Sequence, residues 1–378
     1  MRRRALTSDG ARGAHPVSDP LPWGDDAPRF PFVGVVVGTE AVTEKLSDES
    51  GETGRSAGEE RAGNGRARLR SWTARSLAGL WAGWALGRVL GLDGWAVFEG
   101  LAVPLISLTP YLALASPLPV AAALLLRRRG AALVAGVAAL ALGAVLLPRA
   151  TADTAVEADG PKLRVLTSNV FFGRASMAEL VRIVERERVD VLSLQEFTPD
   201  AQSGLAEQGL QAHLPHRVAD PQWGAGGSAL YSRYPLTALP ALPGTVMAHP
   251  RATLDVAGRR VELTAVHPLP PINGAGRADW KHSLATLPSS STDPVRILAG
   301  DFNATLDHAR FRDLLSRGHT DAADRRGRGL TTTWGFTAFP RLTLDHILVP
   351  PAVAVRSYDV LRLTGSDHRP VLAELQLP

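Results

Sequence analysis

The chain contains no cysteine. That excludes disulfides, thiolate zinc sites and a cysteine nucleophile, and leaves the redox compartment undecided. Lysine is nearly absent, occurring only at Lys45, Lys162 and Lys281, so arginine carries the basic charge. Arginine recognises phosphate through its planar fork, but the same usage is common in GC-rich genomes and decides nothing alone. A formal net charge of +4 is modest for 378 residues. No internal repeat is visible.

Charge is also scarce between Leu77 and Leu147, a stretch built mostly of Ala, Leu, Val, Gly, Pro and Trp. It divides into three apolar segments, roughly 72–92, 95–126 and 131–147, the second containing Pro104, Pro110, Pro117 and Pro119. About 20 apolar residues span a bilayer as a helix, so about three transmembrane helices are expected over 71–148. The alternative is a buried helical core. The few charges (Arg75, Arg88, Glu99) lie near segment ends, which favours membrane spans.

Residues 1–70 read as a disordered cytoplasmic tail, rich in Gly, Ser, Glu, Asp and Arg with one apolar run, Phe32-Val33-Gly34-Val35-Val36-Val37. Met1-Arg2-Arg3-Arg4 resembles a signal-peptide start, but no apolar core follows. Arg66, Arg68 and Arg70 precede the first span, and Arg127, Arg128 and Arg129 separate the second from the third. Basic loops stay inside, so the chain after Leu147 is expected outside. Arg88 fits this poorly unless it snorkels to the outer interface.

After a short linker at 149–161 the pattern changes to short strands and helices. Strands are expected at Leu163–Ser168, Val189–Leu194, Ser228–Ser232, Arg251–Val256, Val261–Val266, Val295–Ala299, Leu342–Val349 and Val371–Leu377. Helices are expected at Met177–Glu187 and Phe311–Arg317. The fold class is α/β: a four-layer sandwich of two packed mixed β-sheets flanked by helices, over 162–378.

Glu196 follows the apolar run Val191-Leu192-Ser193-Leu194, and Asp301 and Asn303 follow Val295-Arg296-Ile297-Leu298-Ala299-Gly300. A lone acid after a strand is usually a solvated turn. Several such sites, joined by Ser366-Asp367-His368-Arg369-Pro370, supply carboxylates, an amide and an imidazole. Hard oxygen ligands of this kind suit Mg²⁺, and a phosphate ester needs charge neutralisation, an in-line water and leaving-group support.

On these motifs residues 162–378 resemble the endonuclease/exonuclease/phosphatase superfamily. The resembling segments are Thr167-Ser168-Asn169, Leu194-Gln195-Glu196, His267-Pro268, Gly300-Asp301-Phe302-Asn303, Leu344-Asp345-His346-Ile347 and Ser366-Asp367-His368-Arg369-Pro370. Each is weak alone; six in the family's order are specific. The resemblance implies Glu196 as main metal ligand, with Asn169 beside it and Asp367 near the metal, Mg²⁺ or alternatively Mn²⁺. It implies Asp301 on the attacking water, Asn303 on a phosphate oxygen, His267 at the phosphate or leaving group, and His368 on the scissile phosphate with Asp345 holding its ring.

Within the superfamily, short spans followed by an external domain resemble the VanJ-type glycopeptide-resistance branch. His267-Pro268-Leu269-Pro270-Pro271 and Ala299-Gly300-Asp301-Phe302-Asn303-Ala304-Thr305 extend that likeness. The branch implies a multi-pass membrane protein acting outside the cell on a lipid-linked phosphate such as undecaprenyl pyrophosphate, with resistance to teicoplanin-like antibiotics. Nucleic acid is not the expected partner. A surface nuclease or phosphodiesterase and a catalytically silent lipid- or antibiotic-binding module remain the alternatives.

Other residues carry less. His213, His216, His282, His308 and His319 read as surface or structural, and His346 as pointing to the opposite strand face from Asp345. Trp223, Trp280 and Trp334 read as packing, with a cleft-lining role as the alternative. Arg325, Arg326 and Arg328 form a basic loop, either solvated or binding phosphate or lipid headgroups.

Overall fold

The computed structural model describes residues 52–153, 156–335 and 339–378. The N-terminal part is helical: α1 (Glu52–Leu90), α2 (Glu99–Ile106), α3 (Thr109–Ala115), α4 (Pro117–Leu125) and α5 (Arg129–Leu146). The order then runs β1 (Lys162–Asn169), α6 (Met177–Arg186), β2 (Val191–Gln195), α7 (Pro199–Glu207), β3 (His216–Asp220), β4 (Ser228–Ser232), β5 (Thr237–Ala238), β6 (Arg251–Val256) and β7 (Arg259–Val266). It continues with α8 (Gly274–Thr286), β8 (Val295–Asp301), α9 (Ala309–Ser316), β9 (Thr320–Asp321), α10 (Ala322–Arg325), β10 (Asp345–Val349), β11 (Ala354–Val360) and β12 (Val371–Gln376).

The strands form two six-stranded sheets, ordered β11-β12-β1-β2-β4-β3 and β5-β6-β7-β8-β10-β9. Each has one parallel pair, β1 with β2 and β7 with β8, among antiparallel neighbours. Their inner faces meet in one apolar layer that includes Leu163, Val165, Val191, Ile297, Ala299 and Ile347. Helix α6 covers the first sheet with Leu180, Ile183 and Val184, while α8 and α9 cover the second with Trp280, Leu284, Phe311 and Leu314. This is the expected sandwich of two mixed sheets between helices.

Two registers bring the strand ends together. Val266 lies opposite Gly300 in the parallel pair, and Asp345 lies opposite Asp301 in the antiparallel one. A Cβ at Gly300 would stand 2.0 Å from the Val266 carbonyl oxygen, so only glycine fits there.

The helices depart from expectation in three ways. The disordered tail is corrected in its last part, because α1 begins at Glu52; Glu, Ala and Arg before Arg70 favour helix there, against Gly54, Gly58, Gly63 and Gly65, which oppose it. Met1–Arg4 and the run 32–37 lie outside the described residues. Secondly, among the described residues only Arg129–Ala150 is by itself long and apolar enough to cross a membrane, with mean hydropathy 2.4, while Glu99–Ile106 and Thr109–Leu125 qualify as a pair bent by 64°. Helix α1 does not qualify, since Arg75, Arg88 and its Trp, Gly and Ser residues dilute its apolarity. Thirdly, Arg88 does not snorkel. It is buried against Asp307, whose other carboxylate oxygen accepts from Arg149 Nη1 at 2.9 Å.

That ion pair belongs to a wider junction. Asp93 Oδ2 accepts from the Ala309 amide at 2.7 Å, Lys281 Nζ meets Glu99 at 2.6 Å, and Val103 of α2 packs in the core with Trp280 and Phe311. Burial alone would raise the Asp307 pKa, but the hydrogen bonds and charges of Arg149 and Arg88 hold it below the usual carboxylate range. At the opposite end of the bundle Arg128 bonds the Ala67 carbonyl at 2.9 Å. Replacing Asp307 by Ala leaves two buried guanidiniums unpaired and should cost about 3–5 kcal/mol. A thermal midpoint of the full-length protein in detergent within 1 °C of wild type would refute this.

Inside the bundle the buried residues are mostly small, Ala74, Ala123 and Ala132 in one cluster and Ala85 and Ala138 with Leu142 in another. Many of the large ones face outward: Leu125 is 82% exposed, Leu140 76% and Leu133 70%.

Candidate active site

All eight residues singled out by sequence lie at one end of the sandwich. β1 ends on Asn169, β2 is followed by Glu196, and β7 is followed by His267. β8 ends on Asp301, β10 begins with Asp345, and Asp367 and His368 lead into β12, antiparallel to β1.

Asn169 joins the sheets. Its Nδ2 donates to Glu196 Oε1 at 3.0 Å and to Asp301 Oδ2 at 3.1 Å, while its Oδ1 accepts from the Phe171 amide at 2.9 Å. Glu196 Oε2 accepts from the Phe172 amide at 2.8 Å. Phe171, Phe172, Glu196 and Asn303 all have positive φ, between 48° and 54°. A non-glycine residue held there costs about 1 kcal/mol or more, and here the strain aims the Glu196 carboxylate and the Asn303 amide at the same end. Asn303 Nδ2 donates to the Pro268 carbonyl at 3.0 Å, and its backbone N–H to Asp301 Oδ1 at 2.8 Å.

His368 Nδ1 is 2.9 Å from Asp345 Oδ2, and its Nε2 is 3.6 Å from Asp301 Oδ2. Burial would lower its pKa, but Asp345, Asp301 and Asp367 outweigh that and raise it to about 10. The ring is therefore an imidazolium at neutral pH, donating from Nδ1 to Asp345. His267 Nε2 lies 3.8 Å from the same Asp301 oxygen. Its burial is decisive, pushing the pKa down to about 4 despite Asp301, so it is neutral near pH 7. One imidazole flanking Asp301 is charged and the other is not.

Glu196 is raised to about 7, chiefly by burial; the Asn169 hydrogen bond and His368 oppose the rise, while Asp367 and Asp301 add to it. Asp367 Oδ2 accepts from Trp334 Nε1 at 3.0 Å, while its Oδ1 is buried without a hydrogen-bond partner. Crowded carboxylates with an orphaned oxygen suit a hard divalent cation, so Glu196 and Asp367 fit one. Asp301, Asp345 and His368 also bring ligand atoms within 4.8 Å of one another. That second group also offers an unpartnered buried oxygen, Asp345 Oδ1, and a metal there would have to displace the His368 proton on binding.

Four residues were not read from the sequence as part of the site. Trp334, expected to pack, holds Asp367. Thr333 Oγ1 accepts from the Leu344 and Asp345 amides and fixes the start of β10. Ser366 Oγ donates to the Asn169 carbonyl and accepts from the His368 amide, and His249 Nδ1 accepts from the His267 amide. The Ser366 contact follows a quoted motif; the others leave no local signal. As expected, His346 points away, bonding Asp321 and the Ala304 carbonyl, and Trp280 is buried in the core.

Trp334→Phe keeps the ring and removes the bond to Asp367. The metal concentration giving half-maximal activity should rise about 10-fold, in the range for groups that orient a metal ligand. An unchanged metal titration would reduce Trp334 to packing.

The endonuclease/exonuclease/phosphatase family model matches residues 166–368, more than half of the chain. The chain belongs to that family. Members of the endonuclease/exonuclease/phosphatase family are metal-dependent phosphoester hydrolases, the chemistry this donor set fits. Similar solved structures include an endonuclease/exonuclease/phosphatase from Beutenbergia cavernae, with 20% identity, TM-score 0.46, and 57% of this chain and 72% of that one covered. A 3′-5′ exonuclease from Neisseria meningitidis shows 22% identity and TM-score 0.46 over 57% of this chain and 100% of that one. Sphingomyelinase C from Streptomyces griseocarneus shows 18% identity and TM-score 0.41 over 57% and 99%. No curated protein matches the chain significantly.

Proposed function

We propose that this phosphoester hydrolase is membrane-anchored and acts outside the cell on a lipid-linked phosphate such as undecaprenyl pyrophosphate, giving glycopeptide resistance as its VanJ-type resemblance implies. One observation carries the reading: the hydrolase domain is fixed to a bundle with outward-facing leucines through the buried pairs of Asp307 with Arg88 and Arg149. Asp307 follows the Asp301–Asn303 segment of the site closely in sequence. A soluble substrate gives no reason for such a rigid tether.

Glu196 and Asp367 would hold the divalent cation, Mg²⁺ or Mn²⁺, which neutralises phosphate oxygens when bound. Asp301, anchored by Asn169 and the Asn303 amide, orients the attacking water and takes its proton. The imidazolium of His368 donates from Nε2 to a phosphoryl oxygen as charge builds there. Asn303 offers its remaining amide hydrogen to another oxygen. Neutral His267, whose Nε2 lies 3.8 Å from Asp301 Oδ2, assists at the phosphate or the leaving group.

The test is phosphate release by full-length protein in nanodiscs from undecaprenyl pyrophosphate, against cleavage of duplex DNA, each with and without Mg²⁺. Metal-dependent release from the lipid alone is expected; metal-dependent DNA cleavage alone would overturn the substrate. Sidedness is tested separately. Arg66, Arg68, Arg70 and Arg127 to Arg129 are expected inside, so protease added to wall-stripped intact cells should cut the C-terminal domain and spare the chain before Trp72. Cleavage only after lysis would reverse the topology.

A further inference from the structure

Outside the hydrolytic site, the basic turn Arg325-Arg326 does not simply face solvent. It joins Arg356 of β11 and Asp153 around a cavity of about 150 Å³. Three guanidiniums face one carboxylate there, an excess of two positive charges among its lining residues. Arg326 and Arg356 have no carboxylate partner among the described residues, and Arg325 has one loose ion pair, to Asp153. Arg325 keeps only 14% of its side chain exposed; its Nη2 donates to the Pro351 carbonyl, and its Nε is buried without a hydrogen-bond acceptor. Its nearest carboxylate oxygen, on Asp153, is 3.6 Å from that Nε, and Asp153 itself is 59% exposed. Arg356 spends its donors on neutral groups, Gln376 Oε1 at 2.7 Å and the Ala158 carbonyl at 3.0 Å. Arg326 is exposed, and among the described residues its guanidinium has no bonded partner. The nearby Asp324 does not line the cavity; it interacts with Asp321 and Arg149.

We infer that this cavity binds the phosphate of an anionic lipid headgroup. Guanidinium forks fit phosphate oxygens, and a phosphate oxygen would supply the acceptor that Arg325 Nε lacks. The cavity is too small for a nucleotide and large enough for a headgroup phosphate. The lipid source follows from position, and in this respect the inference rests on the membrane reading above. Asp153 lies three residues beyond Ala150, where the apolar helix Arg129–Ala150 ends. Three extended residues reach about 10 Å, so the cavity lies within a headgroup's distance of that helix end. Basic clusters at a bilayer surface attract anionic lipids. A lipid bound there would join the linker, the α10 turn and β11 to the bilayer surface, on a side of the fold separate from the hydrolytic residues.

Thermal unfolding of the full-length protein in neutral detergent tests this, with phosphatidylglycerol, phosphatidylcholine or inorganic phosphate added at equal concentration. Phosphatidylglycerol should raise the midpoint by about 2–4 °C, and phosphatidylcholine should not. The double variant Arg326→Gln, Arg356→Gln should lose at least half of that rise; both positions are exposed, so folding is spared, and hydrolysis of a water-soluble ester should be unchanged. Equal response to the two lipids, or an unaltered response in the double variant, would overturn the site. An equal rise with inorganic phosphate would overturn the lipid source. Flotation with phosphatidylcholine vesicles isolates the membrane reading. Protein that fails to float refutes that reading, whereas protein that floats yet ignores phosphatidylglycerol refutes the headgroup site alone.

Discussion

Glu196→Gln is expected to lower metal-dependent phosphate release by about 10³-fold or more, because it removes the charge that would hold the cation. The side chain keeps its shape, but Asn169 Nδ2 and the Phe172 amide donate to different carboxylate oxygens, so the glutamine carbonyl can keep only one of the two bonds. Folding should survive the loss of that bond, worth about 1–3 kcal/mol. In the metal-free protein the stability of wild type relative to the variant should fall as pH rises past neutral. The wild-type pKa is raised from 4.5 to about 7, so between those values the folded state binds more protons than the unfolded one. Its stability consequently falls as pH rises through that window, and remains lower above it. Glutamine has no such dependence. Thermal midpoints in EDTA at pH 4.5 and pH 8 check this. Wild-type activity that persists in EDTA, or a variant with full activity, would end the metal assignment.

Much of this site is legible in the sequence because its carboxylates follow short apolar runs. Val191 to Leu194 and Val295 to Ala299 can only be buried strands, and a charged residue just after each must sit at a strand mouth. Helix α6 is equally plain, since Leu180, Ile183 and Val184 share one face and Ser176 caps it. Elements at the margins of the sheets were harder to see. β3 is a half-exposed edge strand, and β11 alternates around Arg356 and Asp359 without an apolar run. Helix α8 buries a regular stripe, Gly276, Asp279, Trp280, Ser283 and Leu284, but three of these five are glycine or polar, so the stripe does not read as apolar in the sequence. The junction was hidden for another reason. Arg88 and Asp307 are far apart in the chain, and an arginine in an apolar segment looks like an interfacial residue until its partner is known. The same holds for Trp334 and Asp367, whose bond links a loop to a strand entrance.

Asp345→Asn is the sharpest test of the chemistry itself, and its signature is in the pH profile. His368 owes its value of about 10 to carboxylates that overcome burial, Asp345 first among them and bonded at 2.9 Å. An asparagine keeps the shape but withdraws that charge, so the ring should lose its proton at lower pH. Its amide can also donate to Nδ1, selecting the tautomer with the wrong nitrogen protonated. At pH 8 the turnover should fall by about 10²–10⁴-fold. The loss should shrink toward pH 6, where the ring regains its proton, and the alkaline limb of kcat/KM should move from near pH 10 into the neutral range. Stability follows the same sign. A histidine raised in the folded state contributes fully below its unfolded value of about 6.5, and that contribution is lost as pH rises toward 10. Wild-type stability should therefore decline across that interval, and that of the variant should decline less. A purely structural Asp345 would lower activity by the same factor at every pH and leave both limbs in place. That outcome would remove His368 as the charged group on the phosphate, and with it the reason for packing an imidazolium between Asp345 and Asp301.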